Sequence, residues 1–353
     1  MASPAAKRPG VPTQPLPPVF FRYKSDIDEA LRARFRSCNP IYRPLRYAMG
    51  WFDENGNPND GAVGKALRPT LCLLACDAAG GDALKALPAA VSLELIHNFS
   101  MVHDDIQDGD KIRRNRPTLW AVWGVPKAIV AGNALRVVAD MSLSHPDAEY
   151  LCPEQMVVIS GLLTESYLDM IEGQYLDLSY EGRPDIGLND YLGMISRKTG
   201  SLIRCALSIG ATIGARNSEV VRSLSVYGKA LGYVYQIRDD MLGIWGNEQV
   251  TGKPVGADVA RRKNTFPLVY ALSKAEGTDR DVILDAYRGS TVDENAVGSV
   301  IEVLDKVGAR EYAQAVTNRY CQAALDSIAD LALDSEDRRD LEELARFLLI
   351  RER

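Results

Sequence analysis

Along the chain, long stretches with apolar residues every three or four positions alternate with short polar breaks marked by proline or glycine. In 88–108, Pro88 opens a run that sets Val91, Leu95, Phe99 and Val102 on one stripe, a helical period held for about five turns. The segment 67–80 is apolar and stops at Gly80-Gly81, a helix-stop signal. The same spacing predicts helices over 125–142, 153–179, 190–214, 217–246, 266–276, 280–288, 293–306, 309–332 and 336–350. Long period-two runs of strand type are missing from the sequence. The Asn55-Gly56 pair falls in a polar loop, 53–61, and not between two alternating runs. The pattern predicts an all-α chain of roughly a dozen helices, an architecture that builds ligand sites between facing helices.

The first 18 positions break this pattern, with Pro4, Pro9, Pro12, Pro15, Pro17 and Pro18 among them. Such a segment cannot pair its backbone regularly, and it predicts a disordered tail over 1–20 ahead of one all-α domain over 21–353. No apolar stretch follows Lys7 and Arg8, so the tail does not read as a secretory signal. A length of 353 residues, 46% of them hydrophobic and 25% charged, excludes a globally disordered chain. A net charge of −6 argues against a nucleic-acid binder. No apolar run approaches the roughly 18–20 residues of a transmembrane helix. The cysteines (Cys38, Cys72, Cys76, Cys152, Cys205, Cys321) are scattered, without a second Cys or His pair at zinc-site spacing. A reduced, cytoplasmic setting is the simplest expectation.

The charges become informative through their placement. Helix 88–108 ends on His103-Asp104-Asp105-Ile106-Gln107-Asp108, where Asp104 and Asp108 are four apart and share a face. Two carboxylates so placed repel each other unless a cation lies between them. Oxygen donors of this kind suit Mg²⁺, which keeps several waters and shares itself with substrate phosphates. Alone, the motif could equally be a solvated acidic helix end. The basic run Arg113-Arg114-Asn115-Arg116 follows within ten positions, and acid next to base is what a metal–diphosphate complex requires. The design recurs at the end of 217–246, where Gln236, Asp239 and Asp240 are followed by Lys253, Asp258, Arg261, Arg262 and Lys263. Weaker candidates are Lys65 and Arg68 before an apolar helix, His97 seven positions before Asp104, and the pair Lys198-Thr199. Gly173-Gln174 with Asp177 could equally serve packing and capping.

In order along residues 60–270, these segments resemble the trans-isoprenyl diphosphate synthases, the farnesyl and geranylgeranyl diphosphate synthase family. GKALRP (64–69) resembles the family's GKRLRP, Glu94 and His97 precede DDIQD (104–108), and RRNRPT (113–118) stands where RRGxPT is usual. GQYLDL (173–178), KT (198–199), YQIRDD (235–240), GKPVGAD (252–258) and RKNTFP (262–267) follow in register. The resemblance implies a barrel of long helices around a deep apolar pocket, and a homodimer. It implies Mg²⁺-dependent condensation of isopentenyl diphosphate with an allylic diphosphate. Asp104 and Asp108 would hold two Mg²⁺ ions and Asp239 a third, with Asp105 and Asp240 supporting them. Arg113, Lys198 and Lys253 would bind the allylic diphosphate; Lys65, Arg68, His97 and Arg114 the isopentenyl diphosphate. Thr199 and Gln236 would lie near the reacting carbon.

Two departures stand out. The second acidic motif has Gly243 where a third Asp is common, which reads as a modified site. Asn115-Arg116 replaces the usual RRG continuation, adding one positive charge near the substrates. Phe99, five residues before Asp104, would lie about 7.5 Å deeper in the pocket, while Ser100 is small and Ser92 leaves further depth. One aromatic with a small neighbour resembles the synthases that make C20 chains, with C15 second and C25 a further alternative. A class I terpene cyclase and a non-catalytic subunit are the rival readings. The cyclase needs no isopentenyl site, and such a subunit loses the first acidic motif.

Overall fold

The computed structural model describes residues 15–59, 64–144, 151–215, 217–251, 254–288 and 292–352. Its helices follow the apolar stripes closely. The helix expected over 88–108 is Leu87–Gln107, those over 125–142 and 153–179 are Val125–Leu143 and Pro153–Tyr180, and that over 217–246 is Ser218–Trp245. Pro88 sits in the first turn of Leu87–Gln107, where its missing N–H removes no hydrogen bond. Asn217 starts Ser218–Trp245 by accepting from the backbone N–H groups of Glu219 and Val220, each at 3.1 Å. The Leu87–Gln107 helix packs on Val125–Leu143, and Ser218–Trp245 on Ala309–Ile328 and Ser201–Gly214, which in turn lies on Leu67–Ala78. Leu71, Leu74, Leu93, Leu95, Ile96, Leu207 and Leu231 are fully buried between these helices. Among the described residues, strand structure is confined to an antiparallel pair, Ile112–Arg113 with Arg116–Pro117, and one isolated bridge. The all-α expectation therefore holds.

Three boundaries differ from the sequence expectation, each for a local reason. The tail does not extend to residue 20, because Val19–Arg22 is a helical turn whose Val19 and Phe20 are buried. Phe20 meets Phe347 edge-on at 6.1 Å, so two apolar residues after the prolines are drawn onto the core; residues 1–14 lie outside the described ones. The helix expected over 190–214 is two helices, Leu188–Ile195 and Ser201–Gly214, joined by a π-helical turn at Ser196–Gly200. The helix expected to reach 332 stops at Ile328, where Arg338 donates to the carbonyls of Ile328 at 3.0 Å and Ala329 at 3.1 Å. A side chain thereby satisfies carbonyls that a further turn would have paired.

Candidate active site

The last turn of Leu87–Gln107 divides its carboxylates by helical phase. Asp104 and Asp108 point toward one cleft, whereas Asp105 turns inward, is buried, and pairs with the Arg113 guanidinium. Trp120 Nε1 donates to the carbonyls of Asp105 (2.8 Å) and Asp110 (2.9 Å), fixing the bend beyond the helix. Asp110 pairs with Arg261 at 2.8 Å and lies 3.6 Å from Arg113. The Pro153–Tyr180 helix brings Asp177 to the same cleft, where it accepts from Lys198 Nζ at 2.5 Å. Burial pushes Asp104 up to about 6; Lys198 opposes this and the neighbouring Asp108 adds to it. Asp108 shifts upward too, from burial first, with Lys198 opposing and Asp177 adding. Asp104, Asp108 and Asp177 thus share the field of one ammonium, Lys198.

The π turn explains how Lys198 and Thr199 reach the cleft. Its extra residue rotates the side chains relative to the preceding helix, an irregularity often found at functional sites. It lies against Gly173, where an added Cβ would come 2.2 Å from the Lys198 backbone nitrogen. Gly173 is thus a close-approach position, beyond packing or capping alone.

The second acidic end is organised differently. Asp239 is exposed, and its carboxylate accepts from Arg351 Nη2 at 2.9 Å. Asp240 is fully buried and accepts from the Tyr191 hydroxyl, from the Phe266 backbone N–H at 2.9 Å and from Gln236 Nε2 at 3.0 Å. Thr199 Oγ1 donates to Gln236 Oε1 at 2.6 Å, so a chain of hydrogen bonds runs from the π turn to Asp240. Burial pushes Asp240 up to about 7 against the field of Lys263. The enclosed Lys263 ammonium is held protonated: burial alone would lower its proton affinity, and Asp258, Asp240, Asp177 and Asp239 outweigh it.

Beside this end lies a cleft of about 350 Å³ lined by Lys65, Arg68, Glu94, His97, Arg114, Tyr235, Asp239 and Arg351. Arg68 Nε and Glu94 Oε2 are buried there without a hydrogen-bond partner among the described residues. Burial and then the neighbouring Arg68, Arg114 and Arg113 push His97 well below its ordinary value, so it is neutral. Arg114 and Asn115 both have positive φ (51° and 58°) and form the two-residue connection of the strand pair Ile112–Arg113 and Arg116–Pro117. Primed hairpin turns need that conformation, and asparagine tolerates it, so Asn115 can stand where glycine is usual. Arg116 stacks 3.7 Å from the Tyr47 ring centroid and donates to the Tyr47 carbonyl at 2.7 Å. This contact braces the wall, and Arg116 lines the same hollow as Arg113 and Arg114.

Phe99 is buried on the same helix as Asp104, its ring centroid 5.6 Å from Tyr167 and 4.5 Å from His103. The fold thus gathers Asp104, Asp108, Arg113 and Lys198 at one acidic end, and Lys65, Arg68, His97, Arg114 and Asp239 around one cleft. Lys253 lies outside the described residues. Asp177 and Lys263, noted from the sequence without a role, join the site, and so does Arg351, which was not singled out. Asp177 and Lys263 stood inside motif segments, whereas Arg351 carries no local signal. Among the described residues, no group of three carboxylate, His or Cys side chains closes around one point. Among the same residues, no helix is long and apolar enough to cross a membrane.

Two acidic helix ends facing basic side chains across an all-α scaffold define an enzyme of diphosphate chemistry. Residues 50–304 match the polyprenyl synthetase family model. The (2E,6E)-farnesyl diphosphate synthase of Mycobacterium tuberculosis is 34% identical over 330 residues, covering 92% of this chain and 90% of that protein. The geranylgeranyl diphosphate synthase of the same organism is 35% identical over 323 residues, covering 87% and 90%. The crystal structure of geranylgeranyl pyrophosphate synthetase from Pyrococcus horikoshii superposes with a TM-score of 0.86 at 33% identity, covering 95% of this chain and 98% of that one. The chain belongs to the polyprenyl synthetase family; it is a prenyltransferase with the all-α isoprenoid synthase fold.

Proposed function

We propose that the chain condenses isopentenyl diphosphate head to tail with an allylic diphosphate to give the C20 product. The observation that carries this reading is the pair of cationic regions beside the acidic ends, one for each substrate. Arg113 and Lys198, with Lys253, would bind the allylic diphosphate. Lys65, Arg68, His97 and Arg114 would bind the isopentenyl diphosphate, where an anion would satisfy the buried Arg68 Nε. His97, being neutral, can donate one ring N–H there without adding charge. A terpene cyclase would have no use for this second cleft.

The donor set at the acidic ends is carboxylate oxygen, which fits Mg²⁺. Asp104 and Asp108 would hold two ions and Asp239 a third, the remaining ligands being diphosphate oxygens and water. Bound there, Mg²⁺ supplies positive charge to the departing diphosphate. Arg113 and Lys198 aim fixed charge at the same oxygens without reorganising. Thr199 and Gln236 would lie near the reacting carbon, a role supported by the hydrogen bonds that link them to the buried Asp240. Positioning both substrates replaces a bimolecular encounter, a contribution of roughly 7–11 kcal/mol. The departing diphosphate is the base for the final proton.

C20 rests on a single aromatic at Phe99 beside the small Ser100. A C15 product is the second reading, favoured by the closure of Phe99 against Tyr167 and His103. We also read 21–353, joined by the buried Val19 and Phe20, as one domain, because the cleft draws on both Lys65 and Arg351. A homodimer is supported by apolar side chains left exposed on two neighbouring helices, among them Val130, Val137, Met141, Val157 and Leu168. The test is to incubate the purified chain with Mg²⁺, labelled isopentenyl diphosphate and an allylic primer, and to size the products. Label in a longer diphosphate supports condensation. A hydrocarbon formed without isopentenyl diphosphate would support a cyclase, and no product a non-catalytic subunit.

A further inference from the structure

The π turn Ser196–Gly200 carries Lys198 and Thr199 between two long helices, and each helix receives it in the same way. On Pro153–Tyr180, Gly173 faces the backbone of Lys198, and Asp177 one turn later accepts from Lys198 Nζ. On Ser218–Trp245, a Cβ built on Gly232 would fall 2.6 Å from Gly200 Cα and 3.6 Å from its nitrogen and carbonyl carbon. Gln236, again one turn later, accepts from Thr199 Oγ1 at 2.6 Å. A gap and an acceptor four positions apart share a helix face. The gap sets how near the turn can come, and the acceptor sets which way its side chain points. Gly232 sits inside a helix with ordinary helical φ, where glycine is a poor choice, so neither a left-handed conformation nor propensity accounts for it. The contact is also one-sided. A Cβ on Gly200 would meet the Ile195 carbonyl oxygen at 3.6 Å and Gly232 Cα at 3.9 Å, ordinary packing distances. Of the two glycines, Gly232 is the one that must lack a side chain.

We propose that Gly232 is a positioning residue for Thr199: its gap seats the π turn against Ser218–Trp245, close enough for Gln236 to fix the Thr199 hydroxyl. An alanine at 232 meets backbone, which cannot swing aside as a side chain can, so helix and turn must separate. That separation stretches the Thr199–Gln236 bond, which spans the same two elements, and a hydrogen bond weakens steeply once stretched. The link from Thr199 through Gln236 to the buried Asp240 is then broken at its first member. Lys198 has its own gap and acceptor on the other helix and keeps its place. Gly232 lies outside the segments that carry the family resemblance, and it reaches the reaction only through Thr199.

This role rests on the condensation reading, and the experiment separates the two. Full-length wild type, Gly232→Ala, Gly200→Ala, Thr199→Val and the double variant Gly232→Ala with Thr199→Val are compared. Steady-state kinetics use Mg²⁺, isopentenyl diphosphate and a C15 allylic diphosphate. Hydrogen exchange of the peptide 195–201 is followed without ligand, and melting is recorded for each protein. Gly232→Ala should lose about tenfold in kcat, the scale of one hydrogen bond, with KM for both substrates unchanged. Its exchange over 195–201 should rise by about fivefold or more. Gly200→Ala should keep wild-type kcat and exchange. Thr199→Val should lose a factor like that of Gly232→Ala. The double variant should fall within about threefold of the worse single, whereas independent sites would multiply to about a hundredfold. A glycine needed for packing alone would move KM and melting together and would combine multiplicatively with Thr199→Val. That outcome, wild-type kcat in Gly232→Ala, or an equal loss in Gly200→Ala overturns the proposal. If Gly232→Ala does not fold, wild-type kcat in Thr199→Val overturns it, because the gap then positions nothing the reaction uses. If wild type forms no longer diphosphate, the condensation reading fails first, and the exchange comparison still decides whether Gly232 seats the turn.

Discussion

The two acidic helix ends look alike in sequence and behave differently in space. At the end of Leu87–Gln107, two carboxylates four positions apart face the cleft and the one between them is tied to Arg113. At the end of Ser218–Trp245, only Asp239 faces the cleft. Asp240 is tied to Tyr191, Phe266 and Gln236, and Gly243 a turn later lies against the Asp258 carboxylate. The first end gathers carboxylates beside Lys198; the second ties three elements together through Asp240 and presents Asp239 to Arg351. Identical residue types at a helix end are therefore not interchangeable, because the neighbours decide which carboxylate is desolvated, paired or presented.

Substitutions can break this division of labour. The largest effect is expected from Asp104→Asn, which should lower kcat by about 10³-fold or more through lost charge stabilisation at the leaving group. Melting should move the other way. The proton affinity of Asp104 is raised in the fold to about 6 from 3.8, so wild type is favoured at low pH and loses that advantage as pH rises through 6. Without Mg²⁺ at pH 8, Asp104→Asn should melt no lower than wild type, and a clear drop would contradict the assignment. Asp240→Ala should instead lose about 3 kcal/mol of stability, because Tyr191, Phe266 and Gln236 are left with unmet donors. If that variant melts like wild type, the second end is not structural.

Smaller effects sharpen the contrast. Phe99→Ala should lengthen the main product by at least one five-carbon unit while turnover stays within about threefold, checked by chromatography of the dephosphorylated products. Unchanged chain length would remove Phe99 from product control. The smallest effect serves as a control outside both ends. Half-buried Asp337 is pushed up to about 6, chiefly by burial and then by Asp77, with Arg22 opposing. Its raised value means stability is fully present below pH 4 and lost as pH rises through 6. Asp337→Asn should then stabilise the protein by about 1 kcal/mol at pH 8, after allowance for solvent screening, and by nothing at pH 4. Equal gains at both pH values would show that charge is not the cause.

Helix positions were legible because apolar spacing is a local property, and the fold is built almost wholly from such stripes. The motif segments were legible in order, since each places its charges within a turn or two. What escaped depended on distant partners. Val19 and Phe20 looked like the end of a proline-rich tail until the ring of Phe347 gave them a surface. The π turn at Ser196–Gly200 cannot be told from an ordinary helix by spacing, and its close approach to Gly173 involves a different helix. The stacking of Arg116 on Tyr47, 69 positions away, has no local signal either. Arg351 reaches Asp239 across 112 positions of chain, and no pattern near either residue announces that contact.

The Leu87–Gln107 helix carries the charged end and Phe99 on one rigid rod. A rod has no intermediate settings: side chains face the pocket only about once per turn, roughly 5.4 Å apart. That step is close to the length of one extended five-carbon unit. On the reading that Phe99 stops the product, chain length would be graduated in whole notches, as on a ruler whose zero mark is Asp104, and a single substitution would move the stop by a notch while leaving the chemistry at the zero mark as it was.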